Sequence, residues 1–187
     1  MTAIHSTKWK IFLSRLRKYL EYYGGWKEVF GSPFFNLAVV LSLANWQLWE
    51  SKWVQLSQSL IPSMLGFALG TYAILFSIIS VRLKKALKEV KNRSGVSYLH
   101  EMNATFFHFI FVQVLGVLLT FIQTGTAPWT LSTMLFGKSD GLESAFSIGR
   151  LFIGAVGTTL LIYSLLLAVA AAMIVYRLAT IVEPDKP

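Results

Sequence analysis

Four apolar runs divide the chain, separated by segments that are polar, basic or rich in turn-forming residues. The runs occupy 33–53, 59–81, 104–124 and 151–176, and each is about as long as a helix that crosses a hydrocarbon core. Charged residues are absent from the last three and enter the first only at its far end, as Glu50 and Lys52. The pattern predicts an all-α polytopic membrane protein with four transmembrane helices.

The second run has an internal order. Stepping by four and three residues gives Ser59, Ser63, Gly66, Gly70, Ala73, Ser77 and Ser80, all small, while Leu60, Ile61, Leu65, Phe67, Leu69, Tyr72, Leu75 and Phe76 cover the rest. Positions three and four apart share a helix face, so one side of this helix carries almost no bulk. The same phase continues through Lys84, Leu87 and Lys91. Pro62 lies one turn into this run and is tolerable there, and nothing after it is expected to break the helix, so one continuous helix is expected from Ser59 to Asn92, about 50 Å long. That exceeds the ~30 Å hydrocarbon core, and about three basic turns are expected to stand out in water.

The fourth run carries a matching small face, Gly154, Gly157, Ser164, Ala168 and Ala171, which makes it the expected partner of the groove on the second. The third carries a polar face of Gln113, Thr120 and Gln123 with Gly116. In the first run, Trp46, Trp49 and Trp53 recur near one end, as in an aromatic belt at a membrane–water interface. Pro33 suits a first helical turn, where its missing N–H costs nothing. Pro128, Trp129, Gly137 and Gly141 mark 125–146 as a polar connection rather than a span.

Before the first run, residues 8–23 place Trp9, Phe12, Leu16, Tyr19, Leu20 and Tyr23 on one helical face, with Lys8, Lys10, Arg15, Arg17 and Lys18 elsewhere. This amphipathic helix has two readings: it lies in the interface of an anionic membrane, or it packs on its own subunit. Gly24-Gly25 ends it. The organisation is then an amphipathic segment (1–32), a four-span domain (33–180) enclosing a basic loop (82–103), and a short tail (181–187).

Composition supports the membrane assignment. Of the 187 residues 55% are hydrophobic and only 14% charged, with a mean hydropathy of +0.57; soluble domains carry about 25% charged residues. The net charge of +8 is unevenly placed. With four spans, 14 of the 17 Lys and Arg residues fall on the side of the termini, leaving Lys52, Lys138 and Arg150 opposite. Basic excess marks the cytoplasmic side, so both termini are expected in the cytoplasm and the protein in the inner membrane. Topology and attraction to anionic headgroups account for the charge without nucleic acid.

Little chemistry is available. The absence of cysteine removes thiolate catalysis, disulfides and Cys-ligated metal sites. Ion-coupled transporters and voltage sensors need intramembrane charge; beyond Glu50 and Lys52 at the end of the first, the apolar runs hold no Asp, Glu, Lys or Arg, and one histidine, His108. His100 and His108 form no metal-ligand pattern with nearby carboxylates, and no catalytic motif is present. The chain is expected to be no enzyme and to need no cofactor.

The small stripes have two uses: close helix packing, for which Gly66-x-x-x-Gly70 is suited, or the lining of a pore, narrow at Gly66, Gly70 and Ala73 and able to gate by dewetting. The basic segment Arg82, Lys84, Lys85, Lys88, Lys91 and Arg93, together with Arg15, Arg17 and Lys18, is a candidate surface for headgroups or an acidic cytosolic protein. A non-catalytic subunit that homo-oligomerises and recruits or regulates a cytosolic partner is the leading expectation; a channel or membrane-permeabilising effector is the alternative. In plan, with four short spans and a basic cytosolic helix at Arg82–Arg93, the chain resembles small membrane subunits of bacterial anti-phage systems, such as the Kiwa-type membrane component. The resemblance implies oligomeric assembly in the inner membrane and a cytosolic effector partner.

Overall fold

The computed structural model describes residues 2–92, 94–126, 130, 132–134 and 140–182. Its helices are α1 (Thr2–Tyr23), α2 (Gly25–Gly31), α3 (Pro33–Ala44), α4 (Lys52–Ile78), α5 (Val81–Glu89), α6 (Tyr98–Thr124) and α7 (Asp140–Val182), with a 3-10 turn at Trp46–Leu48. The described residues contain no strand, only an isolated bridge between Lys91 and Ser97. The fold is all-α, as expected.

Among the described residues three helices are long and apolar enough to cross a membrane: α4, α6 and α7. They pack on one another around Met102, Phe106, Phe109, Val112, Tyr163, Leu167 and Ala171. α4 and α6 are antiparallel, since Tyr72 hydrogen-bonds Asn103 while the side chain of Ile61 reaches Gly116. The polar face of α6 points inward: Gln113, Gly116, Thr120 and Gln123 are all buried. Burying amides and hydroxyls between helices is the arrangement a lipid surround favours.

The first apolar run behaves differently from the others. Its α-helix has 12 residues, about 18 Å, and packs on α7 in the opposite sense, with Phe35 against Tyr163 and Ser42 against the carbonyl of Ala155. The expected aromatic belt is not formed there. Trp53 is fully buried, and Trp49 is half-buried with its indole N–H donated to Ser42; only Trp46, 65% exposed, faces outward. The chain turns at Asn45 and 46–48, and α4 starts at Lys52, seven residues earlier than the apolar run suggests. Trp53 thereby joins α4 and is carried into the bundle.

The expected continuous helix over Ser59–Asn92 is broken. Ile79 and Ser80 are extended, and Ser80 caps α5 by accepting from the backbone N–H of Leu83 at 3.2 Å. The reason lies in α5 itself. Leu83 and Leu87 form an apolar edge that a straight helix would leave in water; the elbow lays α5 on α6 and leaves Leu87 5% exposed. A tight return follows. The Asn92 side chain accepts from Ser94 and Val96 and donates to Glu101 at 2.9 Å, and Gly95 takes a positive φ of 78°. The fourth run also differs in extent: α7 begins at Asp140, inside the expected polar connection, so eleven further residues precede Leu151 in the same helix.

Candidate functional site

The small stripe of α4 faces away from its own bundle. Ser59, Ser63, Gly66, Gly70, Ala73, Ser77 and Ser80 are all exposed, and a Cβ added at Gly66 or Gly70 would meet nothing within 4 Å. The hydroxyls of Ser59 and Ser77 turn back onto their own helix, donating to the carbonyls of Leu56 and Ile74. The opposite face of α4, with Trp53, Val54, Ser57, Ile61 and Ala68, is the buried one. The stripe is thus an open shallow groove along one transmembrane helix.

The small face of α7 sits in the reverse situation. Gly154, Gly157, Ser164 and Ala171 are buried and Ala168 half-buried. A Cβ at Gly154 would land on the backbone carbonyl of Trp49, and one at Gly157 would lie 2.5 Å from the Trp53 ring. Ser164 donates to the carbonyl of Leu161. These residues admit the Trp49–Trp53 corner into the bundle, so the expected pairing of the two small stripes does not occur within one chain. The large indole of Trp53 claims the space the glycines open, and among the described residues nothing fills the α4 groove.

The basic surface is carried by α5 and α1. Arg82, Lys85, Lys88 and Lys91 are exposed and Lys84 is half-buried; Arg93 lies outside the described residues. Leu87 anchors the helix on α6 and leaves Arg82, Lys85 and Lys88 exposed, while Lys84 shares the Leu87 face. On α1, Arg15 and Lys18 are exposed, and Arg17 pairs with Glu21 at 3.2 Å on the surface. Such an exposed pair contributes little to stability.

A buried polar cluster links three helices and was not predicted as a site. The Tyr19 hydroxyl of α1 bonds His108 Nδ1 of α6, and His108 Nε2 lies 2.9 Å from the Tyr163 hydroxyl of α7. A neutral imidazole has one donor and one acceptor nitrogen, so it satisfies one tyrosine of each sense. Tyr23 stacks on His108 with ring centroids 4.1 Å apart. One turn of α1 away, Tyr22 stacks on His100, whose Nδ1 meets the Ser97 hydroxyl at 2.7 Å. Burial pushes the Tyr19 hydroxyl well above its ordinary ionisation range, with a smaller contribution from Tyr23 beside it. Burial raises Tyr23 as well.

This cluster fastens the C-terminal half of α1 to the bundle, while Trp9, Phe12 and Leu13 in its first half are 62%, 54% and 57% exposed. Of the two expected uses of that face, packing on its own subunit accounts for Tyr19 and Tyr23. The sequence held a usable signal: a lone histidine in an apolar run needs hydrogen-bond partners, and Tyr163 is the tyrosine nearest the middle of the fourth run. No protein-family model, curated protein or solved structure matches this chain.

Proposed function

We propose that this is a non-catalytic integral membrane subunit that self-associates through the outward groove of α4 and presents α5 to an acidic cytosolic protein. The observation that carries the reading is the open space at Gly66 and Gly70. Small residues on a lipid-facing side give up side-chain packing unless another backbone approaches them closely, and none of the described helices fills the groove. Further copies of this chain are the natural occupants.

In this reading α3 with its 3-10 turn forms the first of four spans, both termini and α5 lie in the cytoplasm, and the exposed first half of α1 rests on anionic headgroups. The distribution of Lys and Arg supports that orientation. The plan shared with anti-phage membrane subunits adds the biological setting to the proposal.

Affinity purification of the full chain in mild detergent, followed by mass determination, tests the reading. A defined oligomer with a co-purifying cytosolic protein is expected. Charge reversal at Lys84, Lys88 and Lys91 should release that protein without altering the oligomer. A strictly monomeric protein, or retention of the partner by the reversed variant, would overturn the respective half of the proposal. Proteoliposomes should show negligible ion flux; substantial flux would favour a pore lined by α4 instead.

A further inference from the structure

The buried polar side chains of the bundle fall into two populations. Ser42, His108, Thr120 and Ser164 each have a hydrogen-bond partner. Five other residues, all buried, carry polar atoms with no partner among the described residues. They are Trp53 (Nε1) and Ser57 (Oγ) on α4, Gln113 (both amide atoms) and Gln123 (Oε1) on α6, and Thr158 (Oγ1) on α7. Gln113 lacks a partner whichever way its amide is turned. Ser57 and Thr158 also depart from the habit of other helical hydroxyls here: those of Ser59, Ser77, Thr159 and Ser164 each donate to a carbonyl of their own helix.

These groups gather in the half of the bundle where α4 begins and α6 ends. Ser57 lies between Trp53, whose ring meets Gly157, and Ile61, whose side chain meets Gly116. Thr158 adjoins Gly157, and Gln113 is one turn from Gly116. The other half of the interface is apolar, built from Ala68, Met102, Phe106, Phe109, Leu167 and Ala171. A buried polar group without a partner is costly, and folded proteins keep few of them. The packing seen here seals these atoms from solvent, so it withholds the partner that would relieve them.

The same half is built to open. Because α4 begins at Lys52, Pro62 stands about three turns inside it. There its ring crowds the carbonyl of Gln58 and offers it no N–H, which weakens the helix at that point. The turns before Pro62 carry Trp53 and Ser57. Their root is latched by Gln123, whose Nε2 donates to the carbonyl of Glu50 at 2.8 Å. A cavity lined in part by Glu50, Ser51 and Gln123 lies beside this latch.

We propose that the first turns of α4 hinge at Pro62 and admit water from the Glu50 end as far as Gln113, so that this structure is the closed state of a hydrated recess. Water meets every demand: it donates to Gln113 Oε1 and Gln123 Oε1, accepts from Trp53 Nε1 and Gln113 Nε2, and does both with Ser57 and Thr158. The apolar half, with Phe106 and Phe109, closes the inner end. The opened bundle is a blind recess and not a channel.

The chain has no cysteine, so single cysteines report access without interference. Ser57→Cys and Thr158→Cys are treated with a membrane-impermeant maleimide in vesicles of both orientations. Ala68→Cys and Ala171→Cys, buried in the apolar half, set the reference rate, while exposed Ser51→Cys and Ser94→Cys report which end faces the reagent. Ser57→Cys and Thr158→Cys should react at least about tenfold faster than the reference pair, through a locally opened minor state, and from the Ser51 end. Pro62→Ala, which restores the missing helix bond, should slow both. Rates no higher than the reference would overturn the proposal, and equal reaction from the Ser94 end would replace the recess by a through pore and overturn it too. Unchanged rates with Pro62→Ala would overturn the hinge. Hydrogen exchange of the unmodified protein needs no variant to fold: amides 56–61 should exchange faster than amides 64–74, and an equal or reversed order would overturn the opening of α4.

Discussion

The indole of Trp53 occupies the place where a side chain at Gly157 would begin: an added Cβ would lie 2.5 Å from two of its ring carbons. Trp53 is fully buried, so it has no free direction in which to yield. Gly157→Ala should therefore overpack the bundle and lower its stability by about 1–3 kcal/mol. Gly154→Ala, which meets a backbone carbonyl, should cost at least as much. Gly66→Ala and Gly70→Ala meet nothing and should stay within about 0.5 kcal/mol of the parent. Thermal melts of the four variants in one detergent separate the two pairs, and an unaffected Gly157→Ala would contradict the packing described.

The α4 groove gives the complementary expectation. Gly66→Leu combined with Gly70→Leu should reduce the oligomer to smaller species while leaving the melting profile of the subunit near the parent's. Cross-linking in native membranes, before any detergent is added, reads this directly. Full-size oligomers from the double variant would place the interface elsewhere.

Tyr19 and His108 tie α1 to the bundle. Tyr19→Ala should free the C-terminal half of α1, and trypsin should then cut after Arg15, Arg17 or Lys18 about tenfold faster, as expected when roughly 1.4 kcal/mol of docking is lost. His108→Leu leaves two buried tyrosine hydroxyls short of partners and should cost about 1–3 kcal/mol of stability. His108→Gln, which keeps a donor and an acceptor, should recover part of that loss.

The same tie has a pH dependence. The hydroxyls of Tyr19 and Tyr23 ionise above their ordinary 10.0 when α1 is docked, because burial disfavours the phenolate. A group whose folded value is raised holds its proton more tightly in the folded state. Its contribution is complete below pH 10 and declines as pH climbs past 10 toward the folded value. Alkaline titration followed by tyrosinate absorbance should show late-ionising tyrosines, and Tyr19→Phe should remove one of them. Loss of α1 protection from trypsin should follow the same rise.

The membrane character, the inward polar face of α6 and the helical nature of every run were legible because each rests on periodicity within one segment. Gln113, Gly116, Thr120 and Gln123 recur at three and four, and any bundle must turn such a face inward. The Ile79–Ser80 break was harder to read, since neither residue is a glycine or proline. Its cause is the burial of Leu83 and Leu87 on α6, a demand set by another helix; Ser80, a residue type suited to an N-cap, was the local trace of it. The destination of the small stripes was not legible. Gly154 and Gly157 make room for Trp53, about a hundred residues away in sequence, and glycine spacing states only that something comes close. Likewise His108 advertised a need for partners, but the choice of Tyr19 and Tyr163 depends on how α1 folds back along α6.

The elbow at Ile79–Ser80 alters what α4 can transmit. Two extended residues separate the helices there, so α4 and α5 are not one rigid rod. Mechanically α5 belongs to α6: Leu87 rests on it and Asn92 grips Glu101. α4 meets that unit along the length of α6, and the Tyr72 hydroxyl donates to Asn103 at 3.1 Å, two residues from Glu101. A load on α4 would thus reach the basic surface through its side-by-side packing on α6 rather than along a continuous shaft.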